Sequence, residues 1–230
     1  MRPRFAGRLG VADWITAVNA ALGFVAVAAA TVAPTLAARV VLLGAILDAL
    51  DGIVARRYGG TSVGPALDSL ADVATFGVAP AFIVFSLAAD AGRVVATPPT
   101  LLLWVCIPAV FVAMAVVRLG LYTVLDVGDD HTEGVQSTLA ATLLAAAVLV
   151  GVGPLAVLGG TGVLAVLMVV PIDYPDLRVR DAVVMGVVQA LAVLWPRLAD
   201  RLFPTVLLAW AVGYLLLSPR FYRRREGKRS

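Results

Sequence analysis

Residues Asp48–Asp72 read DALDGIVARRYGGTSVGPALDSLAD. Four aspartates fall in this stretch, Asp48 and Asp51 before a glycine-rich link, Asp68 and Asp72 after it. Spacings of three and four residues set each pair on one face of a helix. The short link Arg57–Gly64 makes the two helices antiparallel neighbours, so both pairs lie at similar depth. Four converging carboxylates repel one another unless cations neutralise them. Hard oxygen donors suit Mg²⁺ or Mn²⁺ rather than zinc, and no cysteine or histidine stands nearby. The residues between fit a phosphate ligand. Gly52 lets a bulky group approach the backbone, Ala55 keeps that face clear, and Arg56 offers a rigid fork to a phosphate. Gly59, Gly60 and Gly64 make the link supple enough to fold over a nucleotide.

This hairpin sits in a chain of membrane composition. Of 230 residues, 61% are hydrophobic and 14% charged, with a mean hydropathy of +0.96; soluble domains are far more charged. A span needs about 20 apolar residues. Eight runs qualify or nearly do: Trp14–Val32, Thr35–Ala55, Pro65–Ala89, Pro99–Leu125, Val135–Val152, Pro154–Ile172, Asp181–Trp195 and Phe203–Leu217. The last four are shorter, so six spans is the alternative. Lipid demands that backbone groups be satisfied within each segment, which favours an all-α polytopic bundle, and no alternating pattern argues for a barrel. The first run follows Arg2, Arg4 and Arg8 as a signal peptide would, but its length and Asn19 mark a retained helix.

Basic residues orient the bundle. An inside N-terminus puts Arg2, Arg4, Arg8, Arg56, Arg57, Arg118, Arg178, Arg180 and the tail's Arg220, Arg223, Arg224, Arg225, Lys228 and Arg229 on one side. Arg39, Arg93, Arg197 and Arg201 fall on the other. Such a bias predicts both termini cytoplasmic. One domain covers residues 1–230, with a signature-bearing core over about 14–155, further helices over about 154–217 and a basic tail over 218–230. That tail reads as an inside anchor more than as a lure for anionic lipid. The net charge of +3 is too small to imply nucleic acid. The single cysteine, Cys106, excludes an intrachain disulfide and reads as a small packing residue. Trp14 and Trp195 read as interfacial anchors, and His131 as a solvated loop residue.

The stretch Asp48–Asp72 resembles the signature of the CDP-alcohol phosphatidyltransferase family, D-x-x-D-G-x-x-A-R, a spacer, then G-x-x-x-D-x-x-x-D. Asp48, Asp51, Gly52, Ala55, Arg56, Gly64, Asp68 and Asp72 match. The spacer Arg57–Val63 is one residue shorter than usual, which bears on Gly64 and not on the aspartates. Thr16, Asn19 and Gly23 resemble the T-x-x-N-x-x-x-G pattern of the family's first helix. ADVATFGVAPA, Ala71–Ala81, is similar to the phosphatidylserine and archaetidylserine synthase branch, as is Arg118-Leu119. The likeness is clear over residues 14–125 and thin beyond, where His131–Thr142 is only loosely similar.

The resemblance implies transfer of a phosphatidyl or archaetidyl group from a CDP-activated lipid to L-serine, with release of CMP. It implies two Mg²⁺ or Mn²⁺ ions held by Asp48, Asp51, Asp68 and Asp72, with Asp72 also the general base. Thr16, Asn19, Gly52, Ala55, Arg56 and Gly64 would contact the CDP moiety. Arg118 is the candidate for the acceptor carboxylate or a lipid phosphate, beside the plainer reading of a snorkelling side chain; Glu133 and Gln136 border the same mouth. Homodimers and a cytoplasm-facing site in the cell membrane are also implied. Glycerol phosphate or inositol phosphate remain alternative acceptors. From another class, a cation- or proton-coupled transporter also uses intramembrane aspartates, though near the midplane and with repeats, and none is visible here. The acidic loop Asp126–Glu133 and the alanine- and valine-rich helices leave the lipid tail open.

Overall fold

A computed structural model of the protein describes residues 7–90, 98–126, 131–175 and 179–226. The readings that rest on Arg2, Arg4, Arg93, Arg178, Lys228, Arg229 and residues 127–130 lie outside the described residues.

The helices are α1 (Val11–Ala30), α2 (Pro34–Tyr58), α3 (Gly64–Asp72), α4 (Ala79–Asp90), α5 (Pro98–Leu121), α6 (Ser137–Val150), α7 (Pro154–Leu167), α8 (Val179–Leu194) and α9 (Leu202–Glu226). A π-helical stretch, Val73–Val78, joins α3 to α4 in one continuous rod, and a second, Tyr122–Asp126, prolongs α5. Among the described residues, these nine helices form eight rods, one for each apolar run of the sequence. Prolines in the first turn of α2, α3 and α7 mark where those helices begin, since proline has no N–H to leave unpaired there. Gly151, left-handed at φ +85°, closes α6.

Among the described residues, three rods are long and apolar enough to cross a membrane: Val11–Ala30, Gly64–Ala88 and Pro99–Val124. The polar residues of α2 set it apart from these. At 14 residues each, α6 and α7 rise only about 21 Å, short of a full hydrocarbon core. The all-α expectation holds, with one short addition. His131–Glu133 (β1) and Asp173–Pro175 (β2) pair antiparallel, with Thr132 opposite Tyr174. The single histidine thus stands in a strand, not a free loop. Three-residue strands carry too little pattern to be read from sequence. The clip they form ties the start of α6 to the end of α7: Gly134 N–H donates to the Ile172 carbonyl at 2.9 Å and Val135 N–H to that of Leu167 at 3.0 Å.

Helix α6 is the axis of the bundle. Leu139–Ala146, Val148 and Leu149 are all buried except where Ala147 interrupts the run, as a helix apolar on every side requires. By contrast, α1 and α5 present broad apolar faces outward, with Val18, Phe24, Val25, Leu102, Leu103 and Val110 exposed. Cys106 also lies on the outer side of α5, so it is exposed rather than a packing residue as its apolar run suggested. Glycines let α1 approach the π-helical stretch closely at Gly23 and let α2 approach α1 closely at Gly44. A Cβ on Gly23 would lie 2.8 Å from the Ala74 carbonyl carbon, and one on Gly44 would lie 2.9 Å from Asn19 Oδ1. Small residues at such crossings let helices associate where lipid offers no hydrophobic drive. Trp14 and Trp195 are both half exposed, in keeping with interfacial anchors.

Candidate active site

The end of α2, the start of α3, the start of α1, the end of α5 and the start of α6 meet at one end of the bundle. Two adjoining cavities open there. The first, about 270 Å³, is lined by Asp13, Thr16, Asp51, Gly52, Ala55, Thr61, Gly64 and Asp68, among others. The second, about 170 Å³, is lined by Asp48, Asp68, Asp72, Arg118, Gln136, Ser137 and Thr138, with Ser69, Leu119 and Tyr122.

The sequence predicts that all four aspartates converge; the structure brings three of them together. Carboxylate oxygens of Asp48, Asp68 and Asp72 all lie within 4.8 Å of one another. Carboxylates this close repel one another unless a proton or a cation neutralises them. Ser137 Oγ donates to Asp72 Oδ2 at 3.5 Å, a long contact. Asp72 Oδ1 is buried without a protein partner. Three convergent carboxylates, one with an open oxygen, and no thiolate or imidazole among the lining residues, form a donor set that fits Mg²⁺ or Mn²⁺.

Asp51 stands apart from that trio. It lies in the first cavity, where Thr16 Oγ1 donates to its Oδ2 at 2.6 Å. Gly52, Ala55 and Gly64 line the same cavity. Arg56 is exposed and folds back along its own helix: a Cβ on Gly52 would sit 3.3 Å from Arg56 Nη1. Asn19 is placed differently. It is wholly buried behind the first cavity and lines neither one, and its amide has no hydrogen-bond partner. The Thr75 hydroxyl, on the π-helical stretch, donates to its backbone carbonyl at 2.8 Å. Arg118 does not snorkel. It is 7% exposed, faces the second cavity and stacks beside Tyr122, with its Cζ 5.8 Å from the ring centroid. Gln136 reaches that cavity, whereas Glu133 is exposed and absent from its lining.

Several site residues escaped the sequence reading. Asp13, 3% exposed, accepts the Gly10 N–H at 2.7 Å and the Thr61 hydroxyl at 2.8 Å, latching the α2–α3 link over the first cavity. An acid in the first turn of a helix is ordinary, so only its register three residues before Thr16 could have drawn notice. Ser137, Thr138 and Tyr122 carry no local signal at all. The Ser69 and Thr123 hydroxyls share a hydrogen bond that clasps α3 to the π-helical end of α5.

Comparisons with known proteins show the family of the chain. The sequence model of the CDP-alcohol phosphatidyltransferases matches residues 9–194. An archaetidylserine synthase of Methanothermobacter thermautotrophicus is 29% identical over 172 residues, which cover 73% of this chain and 70% of that protein. A CDP-diacylglycerol–serine O-phosphatidyltransferase of Helicobacter pylori is 34% identical over 150 residues, 60% of each chain. One of Saccharomyces cerevisiae is 42% identical over 88 residues, 34% of this chain and 32% of its own. With the signature aspartates gathered at the mouth of an apolar helix bundle and the family's sequence pattern running from α1 to the end of α8, the chain belongs to the CDP-alcohol phosphatidyltransferase family and is an integral membrane enzyme.

Proposed function

We propose that the enzyme transfers a phosphatidyl or archaetidyl group from a CDP-activated lipid to the hydroxyl of L-serine, releasing CMP. The observation that carries this reading is the pair of cavities that share Asp68 and meet at the aspartate cluster. The first is lined by Gly52, Gly60 and Gly64, which leave room for a CDP moiety to approach the backbone. The second sets a buried guanidinium beside the aspartate cluster, so that an acceptor carboxylate can be held next to the metal-binding carboxylates. The names of the relatives as serine transferases support the choice of acceptor.

In this reading Asp48, Asp51, Asp68 and Asp72 hold two Mg²⁺ or Mn²⁺ ions. When bound, these would neutralise the diphosphate and stabilise the departing CMP. Thr16, Gly52, Ala55 and Gly64 frame the nucleotide, and Arg56 swings from its resting place along α2 to a phosphate. Thr16 keeps Asp51 oriented. The serine hydroxyl oxygen attacks the lipid-side phosphorus, the bond from that phosphorus to the CMP oxygen breaks, and Asp72 takes the hydroxyl proton on its open oxygen. Arg118 holds the acceptor carboxylate as a fixed fork. Asn19, behind the cavity, supports the α1–α2 packing on which Thr16 and Asp51 depend. The site faces the cytoplasm, where serine and CMP are soluble, and opens sideways to lipid; the whole chain acts as one domain, and two copies pair as a dimer.

The test is transfer of labelled L-serine into lipid by the purified protein, supplied with CDP-diacylglycerol or CDP-archaeol and Mg²⁺ or Mn²⁺. Metal-dependent labelled lipid is expected, and the better tail identifies the donor. CMP release only with glycerol phosphate or inositol phosphate would move the acceptor within the family. The absence of CMP release with every acceptor would overturn the reading.

A further inference from the structure

Asp68 and one other residue, Tyr122, line both cavities. Tyr122 opens the π-helical turn Tyr122–Asp126, whose wider winding displaces its ring from the α5 register. The ring lies beside the Arg118 guanidinium. Its neighbour Thr123 is doubly anchored: its hydroxyl reaches the Leu119 carbonyl at 2.7 Å and shares the clasp with Ser69, between Asp68 and Asp72 on α3. The ring is thereby held in register with the aspartates from two helices.

A phosphoryl donor in the first cavity is open to attack by either of two oxygens, the acceptor's hydroxyl or water. Attack by water breaks the same phosphorus–oxygen bond, releases CMP and leaves a lipid phosphate monoester. The alcohol must reach the phosphorus through the junction between the cavities, and the junction is walled by Tyr122. We propose that Tyr122 is a positioning residue that sets the Arg118 guanidinium for the acceptor and closes the junction to water, so that CMP release is coupled to transfer. The inference rests on the transferase reading above, and its substrate is the same small amino-acid alcohol.

The experiment follows CMP release and labelled-serine incorporation together in the full-length protein, with CDP-diacylglycerol in detergent micelles and Mg²⁺, for Tyr122→Phe and Tyr122→Ala. Loss of the ring is expected to raise the acceptor KM about tenfold, the scale of losing a desolvated cation–π contact. It is also expected to raise the ratio of CMP released to serine incorporated several-fold, while the donor KM stays within about twofold. Tyr122→Phe, which keeps the ring, should restore both values. A damaged fold would lower both products together at an unchanged ratio, and that result would overturn the proposal. So would equal effects from Phe and Ala. If the wild-type enzyme ignores serine but uses another acceptor, the serine reading fails alone, and the same ratio measured with that acceptor decides the role of Tyr122. If it releases no CMP at all, both fall.

Discussion

The two cavities share a wall but differ in how the chain makes them. The first is walled mainly by one contiguous hairpin, the end of α2, the link and the start of α3, with the start of α1 laid across it. The second gathers residues from four separate helices, α2, α3, α5 and α6, and the β1–β2 pair stands just before the last of these. Local spacing is enough to build the first. The second exists only once the bundle has closed around α6. The donor side should therefore be robust and local in its responses, and the acceptor side sensitive to distant packing.

The hardest blow to both sides at once is at the aspartate cluster of the second cavity. Asp72→Asn keeps the volume of the side chain but leaves no group able to take the hydroxyl proton. Turnover should fall by about 10²–10⁴, the usual share of a positioned general base. Serine incorporation and CMP release should fall together. A loss of less than tenfold would assign the proton to another group and separate Asp72 from the chemistry.

Next in size is a donor-side change. Thr16→Val removes the hydroxyl that orients Asp51 at 2.6 Å. Hydrogen bonds to charged groups contribute about 1.5–3 kcal/mol, so the KM for the CDP-lipid should rise about tenfold or more. The acceptor KM should hold steady. On the other side, Arg118→Lys preserves charge but loses the planar fork. It should raise the acceptor KM several-fold, up to about tenfold, with the donor KM unchanged. Steady-state kinetics with each substrate varied in turn reads both variants. If either moves both KM values equally, the cavities are one site and the comparison fails.

The same division explains what the sequence disclosed. Helix periodicity in α2 and α3 is a local property, so the meeting of the two aspartate pairs at one end was legible, whereas the turning of Asp51 toward Thr16 and away from the other three was not. The eight apolar runs were legible for a similar reason, because lipid imposes a length and a composition on each rod separately. Asp13 was missed because its importance lies in a partner 48 residues away, the Thr61 hydroxyl. Asn19 had a polar character that suggested a ligand contact, yet which side of α1 meets the cavity depends on the close approach at Gly23 and Gly44. Arg118 could be read as snorkelling or as functional until the burial of α5's end decided it. The π-helical turns at Val73–Val78 and Tyr122–Asp126 leave no mark in composition, although both directly follow or precede site residues and rotate what comes after them.

The smallest effect is also the most informative about long-range assembly. Gly134 is left-handed at φ +77°, and a Cβ there would overlap the Met168 carbonyl oxygen, so Gly134→Ala is opposed by both backbone preference and space. No atom of Gly134 lines either cavity. Its N–H bond to Ile172 and the adjacent Val135 bond to Leu167 hold the strand clip against the start of α6. Relieving the overlap must shift that start, and with it Gln136, Ser137 and Thr138. The expected result is a rise of about threefold in the acceptor KM, the equivalent of well under 1 kcal/mol, with the donor KM unmoved. Melting should come a few degrees earlier, since overpacking and left-handed alanine together cost about 1–3 kcal/mol. An equal rise in both KM values would mean that α6 transmits the displacement through the core to α2, with which it packs closely. The donor cavity would then depend on the closed bundle as much as its neighbour does, and its apparent locality would belong to the sequence alone.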